Sequence, residues 1–137
     1  MKFKLIQDSP DVHEFMQLRS DVGWVNPAPE IVQKSLEHSV FQVCVYADKT
    51  LVGFGRIVGD GAMYFYLQDI VVAPNCQNQG VGKIIIGALE AFIKDAAKSG
   101  ATVALLAAFG KENFYHQFGY NKRDGKPLGF GMCKFIK

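Results

Sequence analysis

After Pro74 the period of the apolar residues changes, and that change restricts the folds open to this chain. Before it, the stretches 41–47, 51–58 and 63–72 are rich in β-branched and aromatic residues, and Asp48-Lys49-Thr50 and Gly59-Asp60-Gly61 are connections short enough for hairpins. Three antiparallel strands are therefore predicted side by side. After it, Val81, Ile84, Ile85, Leu89, Phe92, Ile93 and Ala96 recur at three- and four-residue steps, the spacing of one long amphipathic helix. Sheet and helix follow each other without an interdomain linker.

The flanks add shorter elements. Phe3 and Leu5 alternate with polar neighbours as a first strand does, and Val12, Phe15, Met16 and Leu18 give a helix ending near Gly23. A second helix is predicted over 29–38. Beyond the long helix, which Ser99-Gly100 is suited to cap, the apolar run 102–108 reads as a buried strand, 111–118 as a short helix and 129–136 as a closing strand. No repeat or interdomain linker interrupts the 137 residues, a length that suits a single domain over 1–137.

Composition removes several functions. Lysine and arginine exceed aspartate and glutamate only by 15 to 13, which lacks the basic bias of a nucleic-acid binder. Cys44, Cys76 and Cys133 are widely separated, with no Cys-x-x-Cys to begin a zinc site, and are expected as free thiols without a bound metal. The start, Met1 to Asp8, meets charge too early for a signal peptide, and no run is long enough to span a bilayer. A cytoplasmic protein with no membrane or nucleic-acid partner is the expectation. Self-association as a homodimer stays open.

The chemistry is concentrated where the period changes. Between the strand ending at Val72 and the helix starting near Val81 runs Ala73-Pro74-Asn75-Cys76-Gln77-Asn78-Gln79-Gly80-Val81-Gly82-Lys83. The first N–H groups of a helix have no intrahelical partner, and the helix dipole adds partial positive charge there. Gly80 and Gly82 remove side chains that would keep an anion from the backbone, and Lys83 adds a full charge. A tight turn packed against a strand is the alternative reading. A Walker loop and a dinucleotide fingerprint both fail on specific residues, since no Ser/Thr follows Lys83 and position 85 is Ile85 rather than glycine.

Gln77-Asn78-Gln79-Gly80-Val81-Gly82 resembles the (Gln/Arg)-x-x-Gly-x-(Gly/Ala) pattern of the GCN5-related N-acetyltransferase (GNAT) family, and Phe114-Tyr115-His116-Gln117-Phe118-Gly119-Tyr120 resembles that family's C-terminal Tyr-x-x-x-Gly-Phe/Tyr signature. The resemblance follows the family's order of elements over essentially the whole chain and is strongest from Leu67 to Tyr120. It implies a mixed α/β (α+β) fold with a mostly antiparallel twisted sheet flanked by helices, and a splayed pair of parallel strands holding the cofactor. It also implies acetyl-coenzyme A as cofactor, bound by the backbone of Ile70, Val71 and Val72 and by Gln77, Asn78, Gln79, Gly80, Val81, Gly82 and Lys83. The asparagine that many relatives carry seven residues before the tyrosine is Ala108 here.

The implied reaction transfers acetyl to the primary amine of a small molecule or peptide by direct attack. An alkylamine with a pKa of about 10.4 must first lose a proton, at a cost near pH 7 of roughly 4.6 kcal/mol. Tyr115 occupies the family position for a group that stabilises the departing thiolate, with core packing beside Phe114 and Phe118 as the other reading. Tyr66 stands where some relatives carry glutamate, which leaves Asp69, His116 or a water relay as routes for the proton. Strand alternation sets Asp69 on the face opposite Tyr66 and Gln68 unless a bulge intervenes. Arg19, Trp24, Tyr64 and Tyr66 are the expected lining of the acceptor pocket. A non-catalytic acyl-coenzyme A sensor or interaction module is the second function compatible with these residues.

Overall fold

A computed structural model describes residues 2–137. The chain forms two compact units, 1–105 and 106–137. The first contains β1 (Phe3–Ile6), α1 (Val12–Asp21), α2 (Pro29–Glu37), β2 (Phe41–Ala47), β3 (Thr50–Gly59), β4 (Tyr64–Val72), a 3-10 turn (Pro74–Cys76), α3 (Val81–Ala96) and β5 (Thr102–Leu105). The strands form one sheet in the order β1-β2-β3-β4-β5. All neighbours are antiparallel except β4 and β5, which run parallel. This is the mixed, mostly antiparallel sheet flanked by helices that the family resemblance implies.

Local chemistry accounts for the helix ends. Asp11 caps α1 by accepting the Glu14 N–H at 3.0 Å, and Pro29 starts α2 where its missing N–H costs nothing. Gly80 precedes α3 with φ of 85°, a left-handed conformation that suits glycine. The helix ends at Ala96, earlier than the Ser99-Gly100 pair suggested, and Gly100 turns the chain at φ of 97° instead.

Two glycines of β3 set how closely α3 lies on the sheet. A Cβ built on Gly55 would stand 2.4 Å from Ile85 Cγ2, and one on Gly53 would stand 3.0 Å from Val81 Cγ1 and 3.1 Å from Ile85 Cδ1. Their absence lets Val81, Ile85 and Leu89 pack almost onto the strand backbone, and all three are fully buried. On the side of α1, Phe15 meets Phe54 edge-on at 4.8 Å. The first turn of α3 is thereby fixed beside the end of β4.

β4 and β5 stay together only briefly. Their register runs from Tyr64 opposite Thr102 to Leu67 opposite Leu105, while β4 continues to Val72. The β5-facing backbone edge of 68–72 is left without a strand partner. The expected buried strand over 102–108 is a four-residue strand, none of it buried. Its position at the sheet edge explains this: α3 packs chiefly on β2, β3 and β4.

The second unit contains α4 (Glu112–His116) and forms no strand, so the closing strand expected over 129–136 does not exist. Gly129 and Gly131 weaken any strand there. The segment turns instead, with the Arg123 guanidinium donating to the Leu128 carbonyl and the Lys126 N–H donating to Asp124 Oδ1 at 2.9 Å. Leu128, Phe130, Met132, Phe135 and Ile136 are exposed.

All three cysteines are free thiols, as expected. Cys44 is fully buried on β2, and its Sγ donates to the Asp8 carbonyl at 3.3 Å. Burial pushes this thiol from 9.0 up to about 12. Above about pH 9 the unfolded thiol ionises while the folded one stays protonated, so stability falls as pH rises from about 9 to about 12. Tyr46, also raised by burial, adds to the same loss at high pH. Urea titrations across that window should show a slope reduced by up to about 1.4 kcal/mol per pH unit in Cys44→Ala; identical slopes would show that the thiol ionises equally in both states.

Candidate functional site

The loop after β4 is built from its own side chains. The Ala73 N–H donates to the Val52 carbonyl at 2.7 Å, the 3-10 turn follows, and Asn78 takes φ of 63° before Gly80 enters α3. Gln77 Nε2 donates to the Val72 carbonyl at 3.0 Å and Gln79 Nε2 to the Asn75 carbonyl at 3.2 Å. The two glutamines thus hold the loop in shape. The Ile84 N–H is the first to bond back along α3, at 3.1 Å to the Gly80 carbonyl, so the N–H groups of Val81, Gly82 and Lys83 point out of the helix end.

Asn78, Gln79, Gly80 and Lys83 are exposed, whereas the Val81 side chain is buried beneath the loop. A Cβ on Gly80 would meet nothing within 4 Å, so open space lies directly before the backbone. These features fit a diphosphate held by main-chain donors at a helix N-terminus. The helix has sixteen residues, long enough for its dipole to act there. Ile70 and Val72 are half-buried and Val71 is buried on the β4 segment whose outer edge is unpaired.

On the other face of β4 lies a cleft of about 380 Å³, lined by residues of α1, the 27–35 segment, β3 and β4. Its floor is made by a bulge. Phe54 opposes Val71 while Arg56 opposes Gln68, so the lone Gly55 faces both Asp69 and Ile70, and Asp69 takes φ of 56°. The extra residue brings Asp69 round to the side of Tyr66 and Gln68, and all three line the cleft. The exception foreseen for strand alternation is the arrangement found.

Asp69 is buried and clamped by two guanidinium groups. Arg19 Nη1 donates to Oδ1, and Arg56 Nε donates to Oδ2 at 3.0 Å. Arg19 is itself fixed: Nε donates to Asn26 Oδ1 at 2.8 Å, Nη2 to the Val25 carbonyl at 3.0 Å, and the group lies 5.3 Å from the Trp24 ring centroid. Arg56 reaches α2 through the Ser35 carbonyl at 2.9 Å and Ser35 Oγ at 2.9 Å, and the residues just after it through Ser39 Oγ at 3.1 Å.

The family model described as an acetyltransferase (GNAT) domain matches residues 39–122. The chain belongs to the GNAT acetyltransferase family. An uncharacterised N-acetyltransferase, ycf52, of Pyropia yezoensis is 30% identical over 116 residues, covering 82% of this chain and 66% of the relative. Serotonin N-acetyltransferase 2, chloroplastic, of rice is 29% identical over 116 residues, covering 80% of this chain and 56% of the rice protein. The chain therefore spans just under two thirds of the first of these relatives and little over half of the second. A probable acetyltransferase of unknown function from methicillin-resistant Staphylococcus aureus has a TM-score of 0.88 at 29% identity, covering 99% of both chains.

Within this GNAT chain, the residues singled out from sequence fall into distinct places. Arg19, Tyr66 and Asp69 line the cleft, Trp24 stacks on Arg19, and Tyr64 is 56% exposed and outside the lining. Tyr115, in the second unit, is buried, with its ring edge-on to Phe114 at 5.2 Å and to Tyr120 at 6.5 Å. Burial raises its phenol further above neutrality. The His116 ring is bonded through Nδ1 to the Tyr120 carbonyl at 2.9 Å.

Arg56, Ser35 and Asn26 escaped the sequence reading. Arg56 sits in a strand whose other inward residues are apolar, and the only signal for it was a charge within the apolar run 51–58. Removing the carboxylate leaves two guanidinium groups facing each other, and alanine at a positive φ adds strain. Asp69→Ala should therefore lower the unfolding free energy by about 3–5 kcal/mol in urea titrations; a loss below about 1 kcal/mol would show that the arginines do not depend on it.

Proposed function

We propose that this chain is an acetyl-coenzyme A-dependent N-acetyltransferase whose residues 1–137 act as one domain, transferring acetyl to the primary amine of a small molecule or peptide by direct attack. The observation that carries the proposal is the pairing of a helix terminus whose first N–H groups point outward with an unpaired β4 edge, on the strand whose bulge floors the cleft. When bound, acetyl-coenzyme A supplies a thioester whose carbonyl carbon accepts the amine nitrogen and whose sulfur leaves as a thiol. Its diphosphate would be held by the backbone from Gln77 to Lys83, and its pantetheine arm by the free edge of Ile70, Val71 and Val72.

The cleft assists the amine through its charge. Two guanidinium groups face one carboxylate there, so an ammonium ion is disfavoured and the neutral, nucleophilic amine is favoured. That effect offsets part of the roughly 4.6 kcal/mol needed to deprotonate a lysine-like amine at neutral pH. Asp69 is buried and committed to positioning two guanidinium groups, so proton acceptance is assigned to water. Asp69 acts as a positioning residue for Arg19 and Arg56.

Tyr115, a phenol protonated at neutral pH and pushed further from ionising by burial, is assigned to donate a hydrogen bond from Oη to the leaving sulfur. A hydrogen bond to a charged acceptor is worth about 1.5–3 kcal/mol. Tyr115→Phe should lower kcat about 10- to 100-fold in a coenzyme A release assay, with cofactor affinity changed by less than about twofold. Unchanged kcat would remove the phenol from the reaction.

Cofactor placement is tested separately. Gly82→Glu sets a carboxylate where the phosphates are assigned, and calorimetry with coenzyme A should show at least about a 100-fold loss of affinity with an unchanged melting temperature. Wild-type affinity in this variant would place the diphosphate elsewhere.

A further inference from the structure

The charge balance of the cleft narrows the acceptor, given the acetyltransferase reading on which this inference rests. Its lining contains two cations, Arg19 and Arg56, and one anion, Asp69; the other lining groups, including Tyr66 and Gln68, carry no formal charge. One positive charge is left over in a place where Arg56 is only 7% exposed. Among the described residues, the bonds of these side chains use three of the five N–H groups of Arg19 and four of those of Arg56. Donors and charge both remain available.

We propose that the acceptor is a small amine that also carries a carboxylate, and that this carboxylate is bound by the charge Asp69 leaves unneutralised on Arg19 and Arg56. A planar monoanion matches one surplus charge and the fork geometry of a guanidinium. Phe15, Pro27, Ile31 and Val32 offer an apolar wall on the same cleft, which suits the side chain of a hydrophobic amino acid. The cleft volume of about 380 Å³ lies at the small end of ligand sites. A purely cationic arylalkylamine fits less well, because Trp24 lies outside the cleft lining and already carries Arg19 over its ring.

The test compares two compounds that differ only in the carboxylate: N-acetylphenylalanine and N-(2-phenylethyl)acetamide, titrated calorimetrically into the wild-type chain with coenzyme A present. The carboxylate compound is expected to bind at least about tenfold more tightly, with a preference that shrinks as salt is raised. In Arg19→Gln, checked for folding by its melting curve, the preference should fall below about threefold. Equal affinity of the two compounds for the wild type, binding of neither, or a preference untouched by Arg19→Gln would overturn the proposal.

Acetylation of phenylalanine and of 2-phenylethylamine, followed by coenzyme A release, separates this inference from the activity beneath it. Retained carboxylate preference with no turnover of any amine would sink the enzymatic reading and keep the anion site. Turnover of 2-phenylethylamine with kcat/KM equal to or above that of phenylalanine would sink the anion site and keep the enzyme.

Discussion

The carboxylate of Asp69 is the point on which the cleft depends. It sits on a bulge of β4, at a positive φ that most residues avoid, and it is the common acceptor for one guanidinium from α1 and another from β3. Arg56 passes the connection on to Ser35 and Ser39 at the end of α2, and Arg19 passes it to Asn26 and the Val25 carbonyl in the segment between the two helices. One buried anion therefore fixes both helices over the sheet. A buried ion pair adds little net stability compared with an apolar pair of similar size, and what this one contributes is the charge and shape of the cleft.

The bulge also decides which face of β4 each residue meets. Up to Gln68 the strand alternates regularly, with Tyr66 and Gln68 on the cleft side. Doubling the residue opposite Gly55 turns Asp69 to that same side, and Ile70 then lies toward α3, within reach of Gly55, Ile85 and Leu89. The pairing with β5 has already ended at Leu67. A free backbone edge, a charged cleft floor and the approach of α3 thus meet within a few residues, and the glycines of β3 that admit Ile85 keep the helix terminus at that level.

How much of this could be read in the sequence follows from which interactions are local. The strand and helix periods, the Asp48 to Thr50 hairpin and the Gln77 to Lys83 loop depend on neighbouring residues, and their elements occur close to where the pattern puts them. The runs 102–108 and 129–136 were misread because apolar content marks a buried strand only if neighbouring strands or helices cover it. At the edge of this sheet β5 is short and half-covered, and Gly129 and Gly131 offer a strand nothing to pack. The cleft was half legible. Arg19, Tyr66 and Asp69 could be named one by one, but their junction with Arg56 joins positions up to fifty residues apart through a bulge that no sequence period encodes.

The same network bears on how a cleft can promote amine chemistry without a free base. A carboxylate placed alone near the acceptor would attract the ammonium form and raise the cost of removing its proton. Here the carboxylate is paired on both oxygens and outnumbered, so on the proposed reading the field at the cleft would act on an acceptor held there in the opposite sense. An ordinary monoamine would feel only repulsion until it lost its proton, which penalises binding as much as it favours reaction. An acceptor with its own anion escapes that penalty, because its carboxylate is attracted while its ammonium group is destabilised. A site that must both hold an amine and deprotonate it gains from a substrate that offers the two charges separately.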